Sequence, residues 1–414
     1  MNILYIEHYA GSPEMGMEFR PYYFSREWAK MGHKVTIIAG DYSHLRGKNP
    51  SLEHDFQEEN IDGITYLWVK TGTYNGNGIQ RAVTMFRFVY KIRKHARMLV
   101  DNYSPDIIIA SSTYPLDTYA AQKLRKLTGG KYIHEVHDMW PSTLYTIGGM
   151  SRYNPFVVLM QIAENSAYSK CDNLVALAPY SKEYMVKHGL APQKFHNIQN
   201  GIVEEDWKNS TELPEEHKVF FESQREKFIV GYFGGHAISN SLDILLDSAK
   251  QTNDKDIIYV LVGDGVEKGR LEQRVNDEKI NNVYFLPRIN KKAIPALLKE
   301  YDCSIMIGIP SINYRDGLCL NKMYDSMMGG TPVICVFNTP ACIVEENGCG
   351  ILVKQVEPSA IVKAIQELKM LPKNEREKMG QNGKKTVLSK YTYRKLAEQF
   401  IEVMDEARNG NEGK

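Results

Sequence analysis

The segment Tyr259-Val260-Leu261-Val262-Gly263-Asp264-Gly265 leads from an apolar strand directly into a glycine turn, and a helix is predicted to follow at residues 271–275. A run this apolar is typical of a strand buried inside a parallel sheet. Glycines in the turn let backbone N–H groups approach an anion at the start of the next helix. The segment predicts an α/β fold and indicates a phosphate site, although an ordinary tight turn is an equally open interpretation.

A second glycine turn follows an earlier apolar strand, in the sequence Gly231-Tyr232-Phe233-Gly234-Gly235-His236. Two such turns at strand ends of one domain favour a phosphate between them. Neither turn has the G-x-G-x-x-G spacing of dinucleotide-binding enzymes, because Gly263, Gly265 and Gly269 are spaced differently. A hydride-transferring dehydrogenase is therefore disfavoured.

Strands and amphipathic stretches alternate along nearly the whole chain in two series, a pattern typical of parallel sheets wrapped by helices. The predicted strands lie at residues 3–6, 35–39, 64–69, 107–110, 132–136, 174–176 and 195–198, and then at 228–233, 257–262, 283–286, 304–307 and 333–336. The polar stretch 204–218 between the two series is interpreted as a linker. We therefore expect domains at 1–203 and 204–390. A last helix at 391–414 follows, for which packing back toward the N-terminal domain is one option.

Composition excludes several classes of protein. The 414-residue chain is long enough for two cores, and its 43% hydrophobic and 24% charged residues are typical of a soluble globular protein. A net charge of +1 excludes a globally basic nucleic-acid binder. The six cysteines form no C-x-x-C pair and are interpreted as reduced thiols. No signal peptide and no run of about 20 apolar residues is recognised, so a cytoplasmic location is expected.

The stretch R-D-G-L-C-L-N-K-M-Y-D-S-M-M-G-G-T-P-V-I at residues 315–334 predicts a loop, a helix that starts near Asn321, and a buried strand. The helix start would direct backbone amides and Lys322 toward a diphosphate. One turn into the helix, the Asp325 carboxylate could accept hydrogen bonds from both hydroxyls of a vicinal diol. A solvated surface aspartate is the alternative interpretation.

Taken together, these motifs resemble the retaining glycosyltransferases of family 4. The resemblance rests on the order of G-D-G at 263–265, Y-D-C at 301–303 and N-K-x-x-D-x-M-x-x-G-x-P-V-I at 321–334. The segments H-Y-A-G-S-P at 8–13 and G-M-E-F-R-P-Y-Y at 16–23 are similar to the WbuB-like branch, bacterial enzymes that add sugars to lipid-linked surface-polysaccharide intermediates. The resemblance covers nearly the whole chain. It implies the GT-B architecture, with two doubly wound Rossmann-like α/β domains and an interdomain cleft.

The resemblance implies a donor site in the C-terminal domain. In the family, the carboxylate at the position of Asp325 holds the donor ribose, the backbone ahead of it meets the diphosphate, and the strand end at 286–289 borders the base. The donor-binding residues expected on this basis are Gly16, Gly235, His236, Gly263, Asp264, Gly265, Arg288, Ile289, Leu320, Asn321, Lys322 and Asp325.

The sequence departs from the family pattern in two places. The first glutamate of the E-x7-E signature is replaced by Leu318, and the loop 235–241 lacks the usual Arg/Lys pair. A diphosphate leaving group still needs its charge offset. Arg288, Lys322 and His236 are the available substitutes, and Lys322 suits the task best because it lies at a helix start.

An acceptor site is predicted in the N-terminal domain, where the strand at 132–136 ends in His137 and Asp138. These side chains could orient or deprotonate an acceptor hydroxyl, whereas a helix N-cap at Asp138 is the alternative interpretation. The resemblance implies front-face attack near these residues without a protein nucleophile. Glu18 and Arg20 follow the first strand and are predicted to bind the acceptor, with the Arg20 guanidinium on its phosphate.

Residues 81–97 contain six lysines and arginines and no acid, among apolar side chains. This pattern predicts a basic amphipathic helix that can lie on the inner face of the cytoplasmic membrane. An ordinary crossover helix with a solvated face is the alternative.

The sequence therefore predicts a peripheral cytoplasmic enzyme. It would move a hexosyl group, with retention, from a nucleotide sugar to a polyprenyl-diphosphate-linked saccharide in O-antigen or capsule biosynthesis. A UDP donor is expected, with N-acetylated deoxysugars among the candidates. No cofactor or metal is expected, and the D-x-D at 254–256 is interpreted as a turn. A UDP-sugar 2-epimerase of GT-B architecture and a non-catalytic GT-B scaffold are the alternatives.

Overall fold

The computed structural model describes residues 1–16, 19–76, 78–146, 148–310, 312 and 314–410. The chain forms two compact units. The first comprises Met1–Gln199 together with the residues from Tyr393 onward, and the second comprises Asn200–Thr392. The chain thus passes from the first unit to the second at Gln199, four residues before the boundary expected from the sequence.

The first unit contains one sheet surrounded by helices. Its strands are β1 (Asn2–Ile6), β2 (Lys34–Gly40), β3 (Gln57–Ile61), β4 (Ile64–Val69), β5 (Ile107–Ala110), β6 (Lys131–Val136), β7 (Asn173–Ala176) and β8 (Phe195–Asn197). Its helices are α1 (Phe19–Lys30), α2 (Ile79–Lys94), α3 (Ala96–Tyr103), α4 (Thr118–Thr128), α5 (Ser142–Thr146), α6 (Pro155–Lys170) and α7 (Lys182–Lys187). The strand order is β3-β4-β2-β1-β5-β6-β7-β8, so the direction in which strands are added reverses between β1 and β5.

Seven of these strands follow the predicted apolar runs, and they pair in parallel. The exception is β3, which pairs antiparallel with β4 through a turn at Asp62 and Gly63. Both turn residues have positive φ, 51° and 83°, as a two-residue hairpin requires. The sequence of β3, Q-E-E-N-I, gives no apolar signal because this edge strand exposes its central side chains.

The second unit contains a six-stranded parallel sheet. Its strands are β9 (Phe228–Gly235), β10 (Ile257–Asp264), β11 (Val283–Leu286), β12 (Cys303–Ile307), β13 (Val333–Val336) and β14 (Gly350–Val353). Its helices are α8 (Glu204–Lys208), α9 (Glu215–Ser223), α10 (Leu242–Gln251), α11 (Lys268–Asp277), α12 (Ile294–Leu297), α13 (Asn321–Gly329), α14 (Ile343–Glu346), α15 (Pro358–Met370) and α16 (Lys373–Lys390). The order β11-β10-β9-β12-β13-β14 reverses between β9 and β12. In open sheets of this kind, ligands bind at the carboxyl ends of the strands beside that reversal.

The stretch 204–218 is not the linker that its polarity predicts. It forms α8 and the start of α9, and the apolar side chains in and beside it enter the core of the second unit. Leu213 and Phe221 are buried in the same cluster as Ile229 and Val260, and Trp207 packs against it. The sequence is interpreted as a linker because most residues of this stretch are polar and only a few apolar ones anchor it to the core.

The last helix, α17 (Tyr393–Asn409), belongs to the first unit. The Trp28 indole N–H donates to the carbonyl of Ala397 at 3.2 Å, and the Phe400 ring lies 5.4 Å from that of Phe24 and 5.2 Å from that of Trp28. Asn173 Nδ2 on β7 donates to the carbonyl of Val403 at 3.0 Å. The helix therefore completes the core of the unit in which the chain begins.

Candidate active site

Two glycine turns lie side by side at the carboxyl edge of the second sheet. Gly234 pairs with Gly263 in the register of β9 and β10. A Cβ on Gly263 would lie 2.0 Å from the carbonyl oxygen of Gly234, and one on Gly265 would lie 2.3 Å from that of His236. Glycine is required here because the ends of β9 and β10 approach each other so closely. This contact explains the glycines without a ligand, so the G-D-G pattern is weak evidence for phosphate binding.

His236, directly after β9, is the strongest indication of a ligand. Its side chain is fully buried, and neither ring nitrogen has a hydrogen-bond partner among the described residues. The ring lies between those of Tyr232 and Phe285, at centroid distances of 5.9 and 5.7 Å. Burial, and then the charge of Lys268, lower the pKa of His236 to about 4. A neutral imidazole thus offers one donor and one acceptor, and leaving both unpaired costs free energy unless a ligand uses them.

Lys322 lies at the first turn of α13, next to the glycine turn of β9. Its ammonium donates to Tyr232 Oη at 3.2 Å and to Asn240 Oδ1 at 3.0 Å, and it lies 4.6 Å from the centre of the Tyr232 ring. Burial lowers the pKa of Lys322 to about 8. Leu320 caps the same helix with extended backbone, and Asn321 is exposed at its first position. A cation, a helix start and a glycine turn therefore share one edge of the sheet.

Asp325 is one turn further along α13 and is half-buried. Its carboxylate forms no hydrogen bond within the part of the chain that the structure describes. Burial raises the pKa of Asp325 to about 6, while the nearby charge of Lys291 opposes that shift and Asp206 adds to it. Leu318, in the position of the family's first glutamate, is buried in the apolar cluster that contains Met306. Of the two carboxylates in the family signature, this chain therefore has only the one at Asp325.

The remaining expected donor residues lie at the ends of β10 and β11. Asp264 is exposed and its carboxylate accepts from the N–H of Gly265 at 2.8 Å, which caps its own turn. Arg288 is exposed after β11, and Ile289 packs against an apolar cluster of this unit. Lys268 was not predicted: its ammonium joins the two strand ends by donating to the carbonyls of Gly263 and Leu286, at 3.1 and 3.3 Å. Its position at a helix start after G-D-G is a signal that sequence reasoning could have used.

Arg20, predicted to clamp an acceptor phosphate, is a structural residue of the first unit. Its guanidinium is buried, and its Nη2 lies 2.8 Å from Glu135 Oε1. It also donates to the carbonyls of Gln199 at 2.7 Å and Ile198 at 2.8 Å. Burial alone would raise the pKa of Glu135, but the Arg20 charge holds it well below its usual range. The sequence near Arg20 does not predict this role, because its hydrogen-bond partners lie more than 100 residues away.

His137 and Asp138 follow β6 and differ in exposure. His137 Nε2 lies 2.9 Å from Ser111 Oγ and 3.2 Å from Glu135 Oε2, so the imidazole is anchored to the buried network below it. Asp138 is exposed and its carboxylate has no hydrogen-bond partner among the described residues. The next helix, α5, begins only at Ser142, so Asp138 does not cap it. The geometry therefore leaves Asp138 as the side chain that can reach a substrate.

The two other expected residues of the first unit lie between β1 and α1. Gly16 has φ +95° and bridges to Arg46, where a Cβ would come within 3.0 Å of the backbone nitrogen of Gly47. Glu18 lies outside the described residues. Within those residues, no group of three or more His, Cys, Asp or Glu side chains is arranged to hold a metal ion. Independence of metal stays a prediction.

The predicted basic helix at 81–97 forms α2 and the start of α3, and its cations divide into two groups. The first group is bound to the fold and includes Arg81, whose Nε donates to Tyr9 Oη at 3.2 Å. Arg87 donates to the carbonyl of Thr71 at 2.5 Å, and Lys91 pairs with Asp55 at 2.7 Å, so both stabilise the fold. A second group, which has no ion-pair or hydrogen-bond partner in the described parts of the chain, is exposed: Arg93, Lys94, Arg97 and, on α4, Lys123.

An apolar groove of about 500 Å³ opens beside these exposed cations. Its walls come from α2, α4, α6 and the turn before α4, and they are formed by Phe86, Val89, Tyr90, Leu116, Tyr119 and Leu159, with Arg93, Lys94 and Lys123 beside them. Ile79, Val83, Phe86 and Tyr90 continue the apolar surface along α2, each more than two-fifths exposed. No helix of the described chain has the length and apolar character needed to cross a membrane.

Comparison with known proteins identifies both units. The Glycosyltransferase Family 4 model matches residues 15–206, and the Glycosyl transferases group 1 model matches residues 214–386. WcaI of Escherichia coli K12, named as a colanic acid biosynthesis glycosyl transferase, is 22% identical over 84% of this chain and 87% of its own. WbjE of Pseudomonas aeruginosa, named as a glycosyltransferase, is 20% identical over 70% and 71% of the two chains.

Solved structures share the fold of the entire chain. A sucrose-phosphate synthase from Thermosynechococcus elongatus has a TM-score of 0.73 at 16% identity, covering 98% of this chain and 99% of that one. HepE of Anabaena, in complex with UDP and glucose, has a TM-score of 0.66 at 16% identity with the same coverage. The two sheets, parallel except for the edge strand β3, confirm the predicted GT-B architecture, and the family models together match most of the sequence. The chain therefore belongs to the GT-B glycosyltransferases, with a family 4 N-terminal domain and a group 1 C-terminal domain.

Proposed function

We propose that the protein transfers a sugar, with retention at the anomeric carbon, from a UDP-sugar to a polyprenyl-diphosphate-linked saccharide during surface-polysaccharide biosynthesis. The observation that carries the proposal is the group of side chains at the carboxyl edge of the second sheet, where His236 and Asp325 have no hydrogen-bond partner among the described residues and Lys322 carries an uncompensated charge. Unpaired polar groups of this kind indicate a site that a ligand completes.

The chemistry of these side chains suits a nucleoside diphosphate. The Lys322 ammonium and the amides of the first turn of α13 can bind diphosphate oxygens, since a helix start favours negative charge. The Asp325 carboxylate can accept from the two ribose hydroxyls. A complex of the structural relative HepE with UDP and glucose gives this choice of donor further support.

The proposed acceptor chemistry belongs to the carboxyl end of β6. Asp138, exposed and without a partner among the described residues, can accept a hydrogen bond from the attacking hydroxyl, and the anchored His137 imidazole borders it. We propose that these residues orient the acceptor while the leaving diphosphate takes its proton. No carboxylate pair of the glycosidase type is needed in this scheme.

A lipid-linked acceptor is supported by the apolar groove on the first unit. Exposed Phe86 and Tyr90, together with Arg93, Lys94 and Lys123, would contact the acyl region and the phosphates of an anionic leaflet. The relative WcaI is named for colanic acid biosynthesis, a polysaccharide pathway, which favours a surface-polysaccharide acceptor here.

Isothermal titration with UDP is the first test of this function. We expect saturable binding by the wild-type chain, and no binding at millimolar UDP would contradict the proposal and favour a scaffold. Incubation with a panel of UDP-sugars and a prenyl-diphosphate acceptor should then give a product with the anomeric configuration of the donor, which NMR coupling constants report. An inverted product would refute retention, and isomerised UDP-sugar without transfer would favour an epimerase.

A further inference from the structure

The loop 235–241 lacks the Arg/Lys pair, yet it helps to hold a cation that comes from helix α13. Asn240, in that loop, accepts a hydrogen bond from the Lys322 ammonium through Oδ1 at 3.0 Å. The same side chain donates from Nδ2 to the carbonyl of Gly235 at 2.9 Å. Asn240 therefore joins the lysine of α13 to the glycine turn of β9.

Tyr232 also contacts both Lys322 and the carbonyl of Gly235. Its side chain is fully buried, its hydroxyl accepts from Lys322 Nζ at 3.2 Å, and it donates to the carbonyl of Gly235 at 2.7 Å. The ring also lies under the ammonium, 4.6 Å from it, in a cation–π contact. A closed ring of hydrogen bonds thus links Lys322, Tyr232, Gly235 and Asn240.

Both partners of Lys322 are uncharged, so its ammonium keeps its positive charge available for a diphosphate. A carboxylate partner would neutralise the ammonium and compete with a diphosphate, whereas a phenol and an amide orient it and leave its charge intact. An ammonium has three N–H donors, and two are used by Tyr232 and Asn240. No third acceptor is present among the residues described, so one donor remains for a phosphate oxygen.

We propose that Tyr232 and Asn240 are positioning residues that fix the Lys322 ammonium at the glycine turn, so that this lysine serves the donor diphosphate in place of cations on the loop 235–241. The inference rests on the proposed function, because it assumes a nucleoside diphosphate at this edge. Its advantage is preorganisation: a lysine already held in place loses little rotamer freedom on binding.

A double-mutant cycle on UDP binding tests the inference. Tyr232→Phe keeps the ring and removes the hydroxyl, and we expect it to weaken UDP binding about fivefold in calorimetry. In the Lys322→Met background the same change should alter affinity less than about twofold, because the group it positions is gone. Equal effects in both backgrounds, or no effect in the wild type, would overturn the inference.

Two further variants separate positioning from folding. Tyr259→Phe removes another buried tyrosine hydroxyl of this unit, which lies 2.7 Å from Thr252 Oγ1, and should leave UDP affinity unchanged. Asn240→Asp places a carboxylate beside Lys322. We expect weaker UDP binding at neutral pH and a shift to higher pH of the point at which affinity falls. An unshifted pH profile would show that Asn240 does not act through Lys322.

The test also distinguishes failure of the inference from failure of the proposed function. A wild-type chain that binds no UDP refutes both. A wild-type chain that binds UDP, with Tyr232→Phe and Asn240→Asp binding equally well at every pH, refutes only the positioning role.

Discussion

Burial shifts the pKa values of two residues in the candidate donor site, Lys322 and Asp325. Lys322 has a pKa of about 8 and Asp325 one of about 6, and in both cases removal from water is the main cause. Each shift moves the group toward its neutral form. A bound nucleoside diphosphate would reverse both, since it brings negative charge to the lysine and hydroxyl donors to the carboxylate. Ligand binding and proton binding are therefore coupled at this edge of the sheet.

We expect UDP affinity to fall above about pH 8. In the free protein Lys322 loses its proton as the pH passes its pKa of about 8, while a bound diphosphate raises that pKa. Binding above pH 8 must then include proton uptake, and the dissociation constant should rise by up to about tenfold per pH unit. Calorimetry between pH 6.5 and 9.5 measures this. The Lys322→Met variant is the control, and a fall of the same size in it would assign the titration to another group.

Asp325 and Asp138 should separate binding from turnover. Asp325→Ala removes hydrogen bonds to a charged acceptor, so UDP affinity should fall roughly tenfold or more. Asp138→Asn should leave UDP affinity unchanged and lower turnover about a hundredfold, because orientation of the acceptor hydroxyl is impaired. UDP titration and initial rates on both variants check the pair. Similar losses in both quantities for both variants would mean that one site is misassigned.

At the scale of the element, helix α2 has two different sides. Its buried side, with Met85, Phe88 and Ile92, packs into the core of the first unit. Its exposed side continues into the apolar groove and presents Arg93 and Lys94. The basic pattern alone does not distinguish the cations that face solvent from Arg87 and Lys91, which are bound to the fold.

Charge reversal of Arg93, Lys94 and Lys123 to glutamate should abolish recovery of the protein on anionic vesicles at low salt. Each cation near a charged leaflet contributes about 1 kcal/mol, and each reversal also adds repulsion. Cosedimentation with phosphatidylglycerol vesicles is the measurement. Reversal of Lys384, Lys385 and Lys390, three exposed lysines of α16, is the matched control and should have no effect. An equal loss of vesicle binding in the two variants would show that the protein binds the vesicles through its overall charge and not through this surface.

Apolar runs are sufficient to locate most of the strands, because buried parallel strands such as β5 and β13 are continuous stretches of apolar residues. Strand β3 escapes the prediction since its residues are polar. Strand β14 is no shorter than β5, but it begins with a glycine and only its last residue is buried. The candidate site was less predictable. Lys322 and Asp325 were identified through a resemblance, but Tyr232 lies 90 residues from the lysine it contacts. Arg20 looked available only because its partner Glu135 lies 115 residues away.

At the scale of the molecule, the stability of the first unit depends on its last helix. Phe400 is fully buried against Phe24 and Trp28, so Phe400→Ala should destabilise that unit by about 3–5 kcal/mol. Hydrogen exchange should show lost protection in β1 and β7 with the second unit unaffected. Glu402→Ala, an exposed change on the same helix, should have no such effect. Uniform loss of protection across both units would show that they unfold together.

The placement of α17 also has a consequence for biosynthesis. A ribosome releases the chain from the N-terminus, and domains generally fold as they emerge. Here the first unit lacks part of its core until α17 has left the ribosome, so the faces of Trp28 and Phe24 that this helix covers stay exposed throughout translation of the second unit. We therefore expect the nascent first unit to bind chaperones during that interval, and a chain that stops before residue 393 to have an incomplete first unit.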